Sequence, residues 1–420
     1  MTVEMEPQET KSASGRQSTH SLGLYFGALT LVMGLGRPDC GLAQYPIQFF
    51  LKERLHLSAT ANSAFMLQIN LPFFFGFLFG FIRDRWQPFG LGDRGYLLLA
   101  TPVAVVTYLW LATTNVTYPI LLAGMMLAAA AFQFLMAAAQ GPMTVEGQSR
   151  HMTGSLGALW WFAYYVPSAV AALIGGYLAG YGTMRITLTL AAVLTGLIVA
   201  LACREPAALA HDKTAMRPAA ESGSAAVLRL IRHRPLWPAT AIMFLWTFSP
   251  GWDTPLLYFL TDKFRFTDAM YGSFEAWQYG ATALAIAFYG FLCRRYSLRR
   301  LLWIGTALGT MAGPLFLTIN GPHQALYVAI IVGLFSGIAV ATYMDLLYRS
   351  CPKHLEGTAT AIGGAAFFVA LYFGDLLGSR LYDKGGFPLA MAATTVSSAL
   401  VFAFLPFLPG ELTMGRDRQA

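Results

Sequence analysis

Charge is scarce in this chain. Only 12% of its 420 residues are Asp, Glu, Lys or Arg, while 56% are hydrophobic. A soluble domain carries about 25% charged residues, so an ordinary soluble fold is excluded. Cysteine is scarce too: Cys40, Cys203, Cys293 and Cys351 stand far apart. No CxxC or Cys/His spacing occurs, which excludes a disulfide framework and a metal centre and leaves buried thiols. The chain has no GxxxxGK[ST], no HExxH and no GxSxG. ATP-driven work and common hydrolase chemistry are therefore not expected, and neither an enzyme activity nor a cofactor is predicted. The net charge of +7 could suggest nucleic acid as a partner. The basic residues sit in short loops between apolar runs, so that partner is excluded as well.

What the chain has in abundance is apolar runs, aromatic residues (14%) and glycine (41 residues). Both residue classes suit close-packed membrane helices with aromatic belts. A span needs about 20 mostly apolar residues. Runs of that kind fall near 21–51, 61–82, 96–113, 118–140, 154–181 and 186–203, and again near 236–260, 270–293, 301–319, 324–347, 358–379 and 387–408. The predicted fold is thus an all-α integral membrane protein of twelve transmembrane helices. Its organisation reads as a polar tail (1–20), a first six-helix bundle (21–203), a basic linker (204–235), a second six-helix bundle (236–408) and a short tail (409–420). The N-terminal stretch is acidic and polar and has no secretory-signal pattern. Lys and Arg concentrate in the linker and in the loops on its side, which predicts both termini in the cytoplasm and a multi-pass place in the cell (inner) membrane.

The two halves resemble each other. Residues 46–58 read PIQFFLKERLHLS and residues 255–267 read PLLYFLTDKFRFT. At an offset of 209 residues Pro46 meets Pro255, Glu53 meets Asp262, Arg54 meets Lys263 and Ser58 meets Thr267. The charge order is kept, and each hydroxyl is placed to cap the helix that follows. Two parallel six-helix repeats joined by a polar linker describe a pseudo-symmetric transporter architecture.

The costliest local feature is Gly34-Leu35-Gly36-Arg37-Pro38-Asp39-Cys40-Gly41. At a rise of about 1.5 Å per residue, Arg37 lies roughly 24 Å along the first run. That depth is near the middle of an apolar layer about 30 Å thick, where a charge is a functional hypothesis by default. Pro38 interrupts the helix there. The seventh run is interrupted in the same way by Phe248-Ser249-Pro250-Gly251-Trp252-Asp253. Paired breaks in corresponding helices mark a midplane binding site.

The hairpin after the second run reads Gly80-Phe81-Ile82-Arg83-Asp84-Arg85, and Arg94 opens the third. This resembles the glycine, aspartate and arginine signature of the major facilitator superfamily. More narrowly, FFLKERLHLSA (49–59), DRWQPFGLGDRGY (84–96) and MTVEGQSR (143–150) resemble the folate-biopterin transporter branch. That branch commonly has an acid in the fourth span, where this chain has Gln140-Gly141-Pro142. The resemblance implies a major facilitator fold and a secondary transporter that moves a small organic solute, such as a folate- or pterin-like anion, by proton-coupled alternating access. The implied partners are a small-molecule substrate and the lipid bilayer, with the monomer as the working unit. Two other readings stay open: a non-transporting assembly factor for pigment–protein complexes, and an exporter of other metabolites or drugs.

Residue by residue, Arg37 offers a planar donor fork for an anionic group. Asp39, Asp253 and Asp375 are candidate proton carriers. Gln44, which corresponds to Asp253, and Gln140 are polar groups facing the expected cavity. Trp161, Tyr165, Trp252 and Trp277 offer faces for a planar ring. Gly80, Asp84, Arg85, Arg94, Glu146, Arg150, Asp345 and Arg349 are expected to work the cytoplasmic gate. Gly80 would allow close helix approach, while Asp345/Arg349 and Glu146/Arg150 form i, i+4 pairs. Glu275 is expected either at an outer gate or as an exposed loop acid.

Overall fold

The computed structural model describes residues 24–149, 153–204, 232–351 and 356–413. The predicted N-terminal tail lies outside these residues, as do most of the linker and the end of the C-terminal tail. Every described regular element is a helix. The first part of the chain forms α1 (Leu24–Gly36), α2 (Gln44–Phe49, extended by a π turn, Phe50–Arg54), α3 (Ala59–Ile69), α4 (Leu71–Phe74), α5 (Gly76–Arg85), α6 (Asp93–Thr113), α7 (Tyr118–Ser149), α8 (Thr153–Tyr181) and α9 (Met184–Cys203). The second part forms α10 (Leu236–Thr247), α11 (Thr254–Phe264), α12 (Asp268–Arg295), α13 (Leu298–Leu315), α14 (Pro322–Arg349) and α15 (Glu356–Phe404).

Seven stretches among the described residues are long and apolar enough to cross a membrane by length and composition. One of them, Ile362–Phe407, covers the expected spans 358–379 and 387–408 together. Helix α15 changes direction inside that stretch, where Gly386 adopts φ 74°. A side chain would be strained at that angle, and Pro388 sits in the first turn of the next helical segment, where its missing N–H costs no helical hydrogen bond.

The expected run 61–82 is three pieces, α3, α4 and α5. Asn70 donates its side-chain amide to the Met66 carbonyl at 2.8 Å, taking the acceptor that a continuous helix would use. Pro72, two residues on, has no backbone donor to continue the ladder. The two predicted caps form as expected. Ser58 accepts from the Ala61 N–H and Thr267 from the Met270 N–H, each at 3.3 Å.

Large apolar side chains cover the outside. On α12, Leu284, Phe288 and Phe291 are exposed along one helical stripe, as are Val106 and Trp110 on α6. In water such a stripe would be a liability; against lipid it is the ordinary outer face. Inside, α12 runs along α8 and α14, α6 along α9 and α7, and α15 along α10, α13 and α3. The α8–α12 and α3–α15 contacts join the first part of the chain to the second.

Candidate functional site

Both interrupted helices are closed by groups from elsewhere in the fold. A helix end leaves backbone groups unpaired, and a buried end must find partners. At the end of α1, the Tyr108 hydroxyl of α6 donates to the Gly36 carbonyl at 2.7 Å, and the Leu42 N–H returns to the Leu35 carbonyl at 3.0 Å. Between α10 and α11, Thr394 accepts from the Gly251 N–H at 2.7 Å, and Ser397 donates to the Leu245 carbonyl at 2.7 Å. Asp375 receives the Thr254 N–H at 2.9 Å and the Thr254 hydroxyl at 2.7 Å, so both its oxygens serve the start of α11.

The break before α11 lies directly on α15. The Ser249 nitrogen stands 3.2 Å from where a Cβ of Gly374 would be, and a Cβ on Gly378 would overlap the Pro250 carbonyl. These two glycines let backbone meet backbone.

Arg37 and Asp39 are each only 4% exposed. The guanidinium grips the carboxylate with two parallel bonds, one of them Arg37 Nε to Asp39 Oδ1 at 2.8 Å. Its plane lies 5.0 Å from the Tyr164 ring centre and 5.4 Å from that of Phe73. The pair is therefore a closed unit: Asp39 takes up the same fork that an anionic solute would use.

Across the seam, Asp253 is half-buried and accepts the Gln48 amide at 3.3 Å. Glu275 is buried and accepts the Tyr271 hydroxyl at 2.9 Å, with Tyr45 also in hydrogen-bonding reach. Its burial corrects the reading of an exposed loop acid. Asp253 lies within electrostatic reach of both Glu275 and Asp375. Tyr372 of α15 lies within electrostatic range of both Asp39 and Asp253.

The aromatic candidates divide. Trp161 and Tyr165 meet Tyr164, Phe367 and Tyr279 in the interior, with Tyr165 5.9 Å from Tyr279. Trp252 packs edge-on against Phe316 at 5.2 Å. Trp277 is 56% exposed and turned to the outer face, so it does not line the interior. It is two residues from Glu275, and that spacing turns the two to different sides of one helix. Gln44 is buried and its Oε1 has no donor.

The gate residues also separate. At the α5–α6 hairpin the ion pair joins Arg83 to Asp93, with Arg83 Nη2 to Asp93 Oδ2 at 2.8 Å. Each partner stands one residue before an expected one, Arg83 before Asp84 and Asp93 before Arg94. A Cβ on Gly80 would meet nothing within 4 Å, so the expected close approach there is not made. Arg94 leaves its Nε buried without a hydrogen bond. Asp345 and Arg349 form the expected pair at 2.8 Å, and Tyr289 of α12 donates to the same carboxylate at 2.8 Å. This binds α12 to α14 within one part of the chain. The side chains of Asp84, Arg85, Gln140 and Glu146 lie outside the described residues, as does Arg150 altogether.

A second seam lies where the α2 end meets α11. Lys52 contacts Thr261 and Asp262, and stands 4.5 Å above the Tyr258 ring. The Tyr258 hydroxyl donates to the Leu57 carbonyl at 2.7 Å, and the Thr60 N–H reaches Asp383 at 3.1 Å. Lys52 and Thr261 are 209 residues apart, the offset at which the two repeats align. The residue pattern had not singled out Gln48, Tyr45, Tyr271 or Lys52. Gln48 did carry a signal, as a second glutamine one helical turn past Gln44 in an apolar run.

The BT1 family model matches residues 39–379, most of the chain. No curated protein matches it. Among solved structures, the nucleoside transporter NupG superposes with a TM-score of 0.69 at 13% identity, covering 92% of this chain and 100% of that one. A D-xylose-proton symporter gives 0.67 at 15% identity, covering 94% and 98%. The xylose transporter XylE from E. coli, in an inward open conformation, gives 0.65 at 13%, covering 92% and 96%. The chain shares their fold over nearly its whole length. It belongs to the BT1 family and has the fold of these membrane transporters.

Proposed function

We propose that the chain is a proton-coupled secondary transporter of twelve spans, in which two six-helix halves rock about a central site and carry a small organic solute of folate- or pterin-like character. The observation that carries this reading is the meeting of the two broken helices. Arg37 and Asp39 follow one break, and Asp253, at the end of the other, is held by Gln48 from the helix after the first. Broken helices at the repeat interface expose backbone and charge where a solute can use them. A solute carboxylate would compete with Asp39 for the Arg37 fork, and Trp161 and Tyr165 would flank a planar ring.

Asp253 is the carboxyl best placed to carry the proton. Asp39 is held by a cation, and Asp375 has both oxygens on Thr254. Asp253 sits on the seam itself, held from the opposite part of the chain by Gln48. The symporter among the structural relatives moves protons with its sugar by its own description, which agrees with coupling here. The Lys52–Thr261–Asp262 contact and the bonds of Tyr258 and Asp383 form, in this reading, a closed outer gate. The inner gate would involve Glu146, Arg150 and the α5–α6 hairpin. Both termini would face the cytoplasm of the inner membrane, and each monomer would work alone.

The test begins with thermal shifts of the purified protein against folates, pterins and other organic anions. A ligand that binds the folded state stabilises it increasingly as its concentration rises. Uptake of any stabilising solute is then measured in proteoliposomes with and without an inward proton gradient. Uptake that ignores the gradient would rule out proton coupling. Stabilisation without any uptake would favour the non-transporting reading.

A further inference from the structure

Three carboxyls of this interior have no positively charged partner among the described residues, and that points to a ligand. Arg37 is held by both oxygens of Asp39, so that pair adds no net charge. Opposite it stand Asp253, Glu275 and Asp375, whose partners are all neutral: the Gln48 amide, the Tyr271 hydroxyl, and the N–H and hydroxyl of Thr254. No ion pair reaches any of the three among the described residues. Asp375 is occupied in capping α11. Asp253 and Glu275 are not occupied in that way, and each lies in electrostatic reach of the other.

A second, independent feature points the same way. Gln48 is 0% exposed, and its amide nitrogen is fixed on Asp253. Its Oε1 accepts from nothing. Gln44, one helical turn earlier and 4% exposed, also leaves its Oε1 without a donor. Buried acceptors without donors are rare and costly. Asp253 and Glu275, with the two amide oxygens carried by α2, make up a wall of acceptors tied together by the Gln48–Asp253 bond, the Tyr271–Glu275 bond and the Tyr45–Tyr271 contact.

We infer that this wall receives a positively charged, N–H-rich group of the transported solute, such as an amine or amidine. The solute is then a zwitterion or a cation and not a simple anion. The inference rests on the central-site reading above and narrows its substrate class. The solute's donor group pairs with Asp253 and the two glutamine oxygens, and any carboxylate it carries goes to the Arg37 fork. The same acceptors would suit a bare sodium ion, and the test separates the two sources.

The full-length protein in detergent is titrated by thermal shift with benzoate (anion), benzamidine (cation) and 4-carboxybenzamidine (zwitterion). Sodium chloride is compared with choline chloride at equal ionic strength. Both amidines should stabilise the protein with increasing concentration, and benzoate should not. Asp253→Asn should weaken amidine binding by about tenfold or more, the loss of one charge-assisted hydrogen bond. Gln48→Leu should weaken it in the same direction and serves if the first variant folds poorly. Leu284→Ala, on the outer face, should leave it unchanged. Stabilisation by benzoate alone, by neither amidine, or by sodium alone would overturn the inference. The Arg37→Met/Asp39→Leu protein keeps the underlying reading separable. If Arg37 binds the anionic end, 4-carboxybenzamidine outperforms benzamidine in the parent and loses that advantage in the double variant. If the central-site reading fails while the acceptor wall holds, the two amidines bind alike in both proteins.

Discussion

Removing Arg37 alone should damage this protein more than removing Arg37 and Asp39 together. The two side chains are almost fully buried and share two parallel hydrogen bonds. Arg37→Met leaves the Asp39 carboxylate in an apolar interior with no counter-charge. Breaking one partner of such a pair costs about 3–5 kcal/mol, because the other charge stays desolvated and unpaired. Arg37→Met/Asp39→Leu removes both charges at similar volume, and replacement of a buried pair by apolar groups is near neutral or stabilising. The contacts of Arg37 with the Tyr164 and Phe73 rings are lost in either case, at about 0.5–2 kcal/mol. The double variant should therefore melt close to the parent, within about 2 kcal/mol, and several degrees above the single variant. Thermal unfolding of the purified proteins measures this. Uptake into proteoliposomes then reads function at restored stability. If Arg37 holds solute, the double variant stays inactive although it is stable. A double variant that melts as low as the single one would refute the pairing argument. A stable double variant that transports normally would remove Arg37 from the binding site.

Three further outcomes follow from the packing. Gly378→Ala should destabilise by about 1–3 kcal/mol, since the added methyl overlaps the Pro250 carbonyl and backbone cannot move aside as a side chain can; a neutral or raised melting temperature would contradict that close approach. Asp375→Ala should cost about 1–3 kcal/mol by leaving the Thr254 N–H and hydroxyl without an acceptor. Asp375→Asn, which keeps one acceptor, should cost less and retain proton-driven uptake, and loss of coupling in the Asn variant would make Asp375 the proton carrier instead of Asp253. Lys52→Ala should change stability by under about 1 kcal/mol, because Asp262 is half-exposed. It should nevertheless raise thiol labelling of a single cysteine placed at buried Ala59, which packs at the same seam with Leu256 and Tyr271; unchanged labelling would mean that Lys52 does not hold this side closed.

The sequence alone determined the features that depend on short stretches. The low charge content and the apolar runs set the membrane class, because a chain so poor in charge cannot cover a water-facing surface. Both helix breaks were legible, since Pro38, Pro250 and their flanking glycines act on the backbone within a turn of themselves. The Ser58 and Thr267 caps formed for the same local reason. The repeat offset of 209 was legible as a residue alignment, and the fold brings two equivalent positions into contact at that separation.

Tertiary structure alone decided what those breaks are joined to. Asp375 meets Thr254 across 121 residues and Gln48 meets Asp253 across 205, distances over which no local pattern selects a partner. A one-residue difference in helical phase is a rotation of about 100°. One such step sets Arg83, not Asp84, against Asp93, and two steps, about 200°, separate buried Glu275 from exposed Trp277. Periodicity shows that a helix has an apolar face, but where every face is apolar it cannot say which one meets protein and which meets lipid. The packing of α12 against α8 and α14 makes that choice, and with it sets which charges the interior contains.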